Sequence, residues 1–288
     1  MTTAAVGAVR WEQTARSRRK LGLVVAYGLL VVAAIVSIYP LALMVINSLK
    51  SNNQVLVNPA GLPSPGTLSN YGALLSRGQL RAFANSLIVA ASTTVGAVFI
   101  AALAGYSLTK VRFPGRTIIF ICLVATIMVP VQTAMPGFYA EFASLHWINT
   151  YQIQIVPFLA PVFGLFMVRQ YLLGVPDSLV EAARMDGAGE WRIFARVILP
   201  IAKPALAALA VLEFLLMWNS YLWPQVMASA PSVAPLAVTL PTLTDSTLGI
   251  VPLYGTIMAG SVLATVPLLI VFLRYQDAFM TGVTYGNT

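Results

Sequence analysis

Few side chains in this 288-residue sequence could carry out chemistry. One histidine, His146, and one cysteine, Cys122, cannot between them form a zinc site with three or four His and Cys ligands. The sequence contains no G-x-x-x-x-G-K-[ST] motif, which excludes ATP binding by a P-loop. Glu213 interrupts a long apolar run, and a carboxylate inside a membrane is costly and therefore a functional candidate. It could bond to a neighbouring helix, contact a polar substrate or carry a proton, and the sequence leaves all three open.

A second group of candidates follows Glu213 by about one and a half helical turns. Asn219 lies between Trp218 and Tyr221, and an amide flanked by aromatic rings suits a sugar, because rings stack on its faces and the amide bonds to its hydroxyls. Aromatic residues near the end of a span equally suit the interface between lipid and water. Glu213, Trp218, Asn219 and Tyr221 are thus the candidates for a substrate pathway.

Residues 175–200 are polar but regularly patterned, unlike a slack connection between apolar segments. Ser178 and Glu181 have the S-x-x-E spacing of a capping box, in which each of the two residues satisfies a backbone amide at a helix start. Gly187 lies where a helix would end on a left-handed residue. The pattern predicts a short helix over about residues 178–187.

One face of this predicted helix carries Leu179, Ala182, Ala183 and Asp186 at helical spacing. Small residues allow a partner to approach closely, and a short helix lying in a groove is a common mode of protein recognition. The alternative is a helix that lies on lipid headgroups, which the nearby arginines favour. Residues 190–198 form a second amphipathic stretch, which Pro200 is expected to end.

The elements that must position these residues are helices in a bilayer. Hydrophobic residues make up 58% of the chain and charged residues 9%, whereas a soluble domain carries about 25% charged residues. This composition excludes a soluble enzyme, a disordered chain and a secreted disulfide scaffold. Proline is expected to kink the third span, at Pro130 and Pro136. Long uncharged runs predict an all-α membrane protein with six transmembrane helices, at about residues 21–47, 83–109, 117–138, 150–171, 204–224 and 253–274.

The net charge of +8 is distributed unevenly along the chain. All but three of the 17 Lys and Arg residues fall in segments that six spans place on one side, the exceptions being Lys50, Arg77 and Arg81. Basic segments stay on the cytoplasmic side of a membrane. Both tails, residues 1–20 and 277–288, are therefore expected in the cytoplasm. On the opposite side, residues 51–81 and 228–252 are long enough to contact an external partner.

Several motifs resemble one known family, the permease subunits of ATP-binding-cassette (ABC) importers. The EAA signature of that family is matched in residues and spacing by Glu181-Ala182-Ala183, Asp186-Gly187-Ala188 and Leu199-Pro200. Weaker similarities point to the carbohydrate-importer branch, similar to the maltose-type second permease: Asn85-Ser86, Arg112–Arg116, Trp218–Pro224 and Gly282–Gly286. The resemblance runs from about Leu21 to the C-terminus and implies a type I importer permease fold in a bacterial inner membrane.

In that family the EAA helix is a coupling helix, which docks on an ATP-hydrolysing subunit. The resemblance assigns this role to Glu181, Ala182, Ala183, Asp186, Gly187 and Ala188. It also implies a second permease, two ATPase subunits that hold ATP and magnesium, and an extracytoplasmic binding protein that delivers a sugar or sugar derivative. By the same resemblance, this chain is expected to lie in membrane lipid, to hold no cofactor or metal, to bind no nucleic acid and not to be an enzyme.

The alternative from another class is an ion- or proton-coupled carrier that acts without an ATPase. Such a carrier needs ionisable residues inside its spans. Away from the ends of the predicted spans only Glu213 meets that need, so the alternative depends on a single carboxylate.

Overall fold

A computed structural model describes residues 3–244 and 253–284 of the chain. All regular elements in these two ranges are helical. The longer α-helices are α1 (Thr3–Ser48), α4 (Gln79–Lys110), α5 (Arg116–Thr126), α6 (Val131–Ser144), α8 (Val162–Leu173), α9 (Asp177–Met185), α11 (Leu199–Trp218) and α14 (Tyr254–Thr284). The shorter ones are α2 (Asn52–Val57), α3 (Ser69–Ser76), α7 (Tyr151–Ile155), α10 (Glu190–Ile193), α12 (Leu222–Met227) and α13 (Leu236–Thr239).

Five helical segments in the described residues are long and apolar enough to cross a membrane, and a bent pair raises this to six if it forms one span. The bent pair is α5 with α6, which meet at 96°. The kink expected at Pro130 in the predicted span 117–138 is thus confirmed, and it is a break between two helices. Pro130 causes the break, because its ring disfavours helical geometry in the residue before it and it has no amide hydrogen to donate. Pro136 is accommodated inside α6.

The other spans begin or end beyond their predicted limits. The helix α1 also covers residues 3–20, and α14 continues through Thr284. The fourth span is interrupted by a 3-10 turn at Val156–Phe158 between α7 and α8. The fifth begins at Glu190, well before the predicted residue 204.

The centre of the fold is α4, which packs between α8 and α11. Small residues allow this close packing. A β-carbon added at Gly105 would lie 2.8 Å from Cγ1 of Val168 on α8, too close for an unshifted neighbour. Helices in membranes pack through such small residues, because lipid provides no hydrophobic drive for their association.

A π-helical turn, Phe194–Ile198, joins α10 to α11 without a break. The amide of Leu199 donates to the carbonyl of Phe194, five residues earlier. Pro200 follows at the start of α11 and has no amide hydrogen, and a wider turn accommodates such a missing bond. The expectation that Pro200 ends the amphipathic stretch is therefore wrong.

Candidate functional site

The helix α9 is the predicted coupling helix, and a lysine from another helix secures its start. Pro176 precedes α9, and no side chain caps it. Instead the ammonium of Lys110, at the end of α4, donates to the carbonyl of Val175 at 2.5 Å and to Oδ1 of Asp177 at 2.5 Å. The side chain of Lys110 is 3% exposed and that of Asp177 is 66% exposed. The hydrogen bond with Lys110 lowers the pKa of Asp177, so this carboxylate stays charged at neutral pH.

The predicted capping box is thus wrong. Ser178 and Glu181 lie inside α9 rather than one at its cap and one in its first turn. The side chain of Glu181 faces outward and lies 3.7 Å from Arg112, in an exposed pair. A buried charge that needs a partner displaces the local cap, because an unpaired buried ammonium costs more than a missing cap.

The inner face of α9 is fixed by a single deeply buried residue. Val180 is 2% exposed and lies in the main core cluster with Ala102 and Tyr106 of α4 and Leu172 of α8. The face predicted to dock a partner stays open. Its residues Leu179, Ala182 and Asp186 are exposed, Ala183 is half-buried, and Met185 beside them is 87% exposed.

The end of α9 has the left-handed turn that the sequence predicts at Gly187. This residue has φ +76°, which glycine adopts without steric cost. The amide of Ala188 donates to the carbonyl of Ala183 at 3.0 Å and that of Gly187 to the carbonyl of Arg184 at 3.0 Å. This arrangement is a Schellman motif, and it returns the chain to the core, where Ala188 packs.

An arginine and a glutamate bridge this turn, and sequence analysis missed the bridge. Nε of Arg184 donates to Oε1 of Glu190 at 2.8 Å, and Nη2 of Arg184 donates to the carbonyl of Lys110 at 3.1 Å. The hydroxyl of Tyr106 donates to Oε2 of Glu190. The bond to Glu190 raises the pKa of Arg184. The spacing of Arg184 and Glu190 across a glycine turn was visible in the sequence, but nothing there connected them to Tyr106, 84 residues from Glu190.

Comparison with known proteins agrees with this geometry. Residues 97–285, more than half of the chain, match the family described as the binding-protein-dependent transport system inner membrane component. The chain belongs to this family. It is therefore a multi-pass permease subunit of an ABC importer in a bacterial inner membrane, with the type I permease fold.

Individual relatives of the permease have names that refer to sugars and sugar derivatives. It is 33% identical over 259 residues to the arabinooligosaccharides transport system permease protein AraQ of Bacillus subtilis, covering 87% of this chain and 90% of AraQ. It is 30% identical to the lactose transport system permease protein LacG of Rhizobium radiobacter, covering 92% and 96% of the two chains. It is also 30% identical to the sn-glycerol-3-phosphate transport system permease protein UgpE of Yersinia pestis, covering 88% and 93%.

A solved structure shows the same fold as the permease. It is that of a bacterial ABC transporter involved in the import of the acidic polysaccharide alginate. The similarity has a TM-score of 0.80 at 28% sequence identity, and it covers 92% of the permease and 98% of the other chain.

The four residues predicted for a substrate pathway do not share one environment. Trp218 is 5% exposed, donates from Nε1 to the carbonyl of Ala264 at 3.0 Å and stacks on Phe214. Asn219 and Tyr221 are exposed, and the amide of Asn219 donates to Leu215 in its own helix. Trp218 therefore packs the permease together, and only the two exposed residues are open to a partner or a substrate.

Glu213 is inside the permease in this conformation, 4% exposed. Its carboxylate makes no hydrogen bond to another described residue. Of the three roles that the sequence leaves open for Glu213, the described residues thus do not supply the bond to a neighbouring helix. The hydroxyl of Thr93 on α4 is likewise buried without a partner. Within residues 3–244 and 253–284, no three His, Cys, Asp or Glu residues are grouped as a metal site requires.

The external segment over residues 51–81 is ordered around a buried lysine. Lys50 is 1% exposed, and its ammonium donates to Oδ1 of Asn47 at 2.9 Å, to the carbonyl of Asn58 at 2.9 Å and to that of Pro59 at 3.0 Å. Asn70 then donates to the carbonyl of Lys50 at 2.7 Å. We call residues 47–71 the external platform. Its surface exposes apolar side chains, among them Leu56, Leu62 and Leu68.

The second external segment is fastened to the start of α4. The amide of Asn85 donates to the carbonyl of Ala234 at 3.0 Å, and the hydroxyl of Ser86 accepts from the amide of Leu236 at 2.8 Å. Residues 245–252, the later part of this predicted contact segment, lie outside the described residues, as does the tail from Tyr285 onward.

Proposed function

We propose that this permease forms, with a second permease subunit, the inward pathway of a sugar importer that two ATPase subunits drive. The observation that supports the proposal most directly is the arrangement of α9. One face of this helix is clamped to α4, and the opposite face, with Leu179, Ala182 and Met185, is open at the cytoplasmic side. A helix held this way can pass a push from a docked subunit into the spans.

Two observations support the proposed partners: the sequence has no P-loop, and its external platform exposes apolar side chains. ATP and magnesium belong to the separate ATPase subunits, because this sequence has no P-loop. The solute-binding protein docks on the opposite side, where the external platform presents apolar side chains on an ordered backbone.

We further propose a sugar or sugar derivative as the cargo. The names of AraQ, LacG and UgpE support this class and not one compound. Asn219 and Tyr221 are both exposed and lie two residues apart in sequence, and an amide together with an aromatic ring suits hydroxyl-rich compounds.

The test is to express the permease with the products of its neighbouring transport genes, purify the assembly and reconstitute it in lipid. ATP hydrolysis is measured with and without the binding protein and a panel of arabinotriose, lactose and sn-glycerol-3-phosphate. We expect an ATPase subunit to co-purify and at least one compound to raise hydrolysis severalfold. Leu179→Asp should detach the ATPase, because a charge then occupies the docking face. Leu62→Asp, also at an exposed position but on the external side, is the control and should retain it.

The carrier alternative gives a different result. Uptake would persist without any ATPase and would stop with Glu213→Gln. Coupled ATP hydrolysis that survives Glu213→Gln would exclude it.

A further inference from the structure

The turn between α9 and α10 is the place where a push on α9 could be lost. It contains Gly187 with φ +76° and Gly189, and a β-carbon added at either glycine would meet no atom within 4 Å. Packing at this turn is therefore limited to Ala188 between the two glycines, which is partly buried against the core. If it flexed, α9 could move with a docked subunit while α10 and α11 stayed in place.

Three side chains cross this joint. Arg184 precedes the turn and Glu190 follows it, and their ion pair has two contacts, at 2.8 Å and 3.3 Å. The pair itself is partly exposed, and it is tied to the core because Glu190 accepts from the hydroxyl of Tyr106, a residue that is 3% exposed. Two parallel bonds from a guanidinium fix an angle as well as a distance.

Three further contacts join this joint and the start of α9 to the last turn and a half of α4. Tyr106 holds Glu190 at the start of α10, the carbonyl of Lys110 holds Arg184 near the end of α9, and the ammonium of Lys110 holds Asp177 at its start. The start of α9, its end and the start of α10 thus have fixed positions relative to one short piece of α4.

We infer that Tyr106, Arg184 and Glu190 form a brace across the Gly187 turn that makes α9, α10 and the end of α4 move as one body. The brace determines how much of the ATPase movement reaches the spans. These are positioning residues: they touch neither ATP nor sugar. The inference rests on the proposed function, which names α9 as the helix that receives the push.

The first test measures coupling. Tyr106→Phe removes one hydroxyl and keeps the ring in the core, and Glu190→Gln removes the charge. Both variants are reconstituted, and sugar transported per ATP hydrolysed is measured with the panel compound that stimulates the native assembly. We expect the basal ATPase rate to persist and the amount of sugar transported per ATP to fall about fivefold. The reason is that the loss of one net hydrogen bond, about 1 kcal/mol, changes a two-state population by about that factor.

Tyr171→Phe is the matched control. Its hydroxyl donates to the carbonyl of Ile201 at 3.1 Å, so it also joins two helices in the same core cluster but does not touch the turn. A general loosening of the helix bundle would lower the sugar transported per ATP in Tyr171→Phe as well as in Tyr106→Phe. A fall confined to Tyr106→Phe and Glu190→Gln supports the brace, and equal ratios in all three variants refute it.

A second test needs no substrate. In a Cys122→Ser background, spin labels are attached through S178C on α9 and L87C at the external half of α4, both at exposed positions. Double electron–electron resonance then gives the distance distribution between them. We expect Tyr106→Phe to broaden it and Tyr171→Phe to leave it unchanged. An unchanged width in Tyr106→Phe would overturn the brace, even if the native assembly couples normally. A native assembly that binds no ATPase would instead refute the proposed function.

Discussion

The buried ammonium of Lys50 should be the main support of the external platform, and Lys50→Met tests this. The substitution keeps the length of the side chain and its packing but removes the charge and three hydrogen bonds. Asn47 Oδ1 then loses its partner in a buried position, whereas the carbonyls of Asn58 and Pro59 are partly exposed and can accept from water.

The structure sets the size of the effect. A hydrogen bond from a charged group contributes about 1.5–3 kcal/mol when it is fully buried. In Lys50→Met, water partly replaces the hydrogen bonds to the carbonyls of Asn58 and Pro59. The substitution also removes the cost of desolvating the ammonium. We therefore expect a net loss of about 2 kcal/mol, or about a thirtyfold rise in the open population of the platform.

Hydrogen exchange of the platform amides measures this directly. Exchange of residues 49–71 should become about thirtyfold faster in Lys50→Met, while that of α4 stays unchanged. Arg77→Met is the matched control, because Arg77 is also an external cation but is exposed. Equal exchange in Lys50→Met and the native chain would refute the role of the ammonium. In the reconstituted assembly, we also expect stimulation by the binding protein to fall while basal ATP hydrolysis persists.

Two further perturbations test the packing of α4 and the start of α9. Gly105→Ala places a methyl 2.8 Å from Val168 and should lower the free energy of unfolding by about 1–3 kcal/mol. Gly137→Ala is the control, because its added methyl has no neighbour within 4 Å. Equal melting temperatures in the two variants would contradict the close approach at Gly105. Asp177→Asn should speed exchange of the α9 amides at pH 7. Since the pKa of Asp177 is lowered in the fold, its contribution is present above its unfolded value of about 4 and is lost as pH falls through the folded value. The two chains should thus converge in acid, and a difference that persists unchanged at low pH would contradict the pairing with Lys110.

The class of fold could be predicted from sequence, because each span is a long apolar run with few charges and the charge asymmetry orients it. The position of the bend between α5 and α6 could be predicted at Pro130, but its angle could not. Proline removes a backbone hydrogen bond without fixing the angle between the two helices. The turn at Gly187 was predictable for the same local reason: few residues other than glycine adopt a positive φ.

Contacts between distant parts of the chain could not be predicted. The capping box at Ser178 and Glu181 is a sound local pattern, yet Lys110, 67 residues before Asp177, determines how α9 begins. The burial of Trp218 next to an exposed Asn219 likewise depends on which side of α11 faces α14, which the apolar sequence of the helix does not indicate. Whether the assigned coupling and pathway residues act as proposed is still a prediction.

The π turn at Phe194–Ile198 gives α11 one residue more than a regular helix would need to cover the same length. If the same residues formed a regular helix instead, every later residue of α11 would rotate by about 100° around the helix axis. Glu213 and Trp218 would then leave the interior and a different row of side chains would replace them. The rotational position of the whole fifth span is therefore set at its cytoplasmic base, next to the helix that is proposed to contact the ATPase.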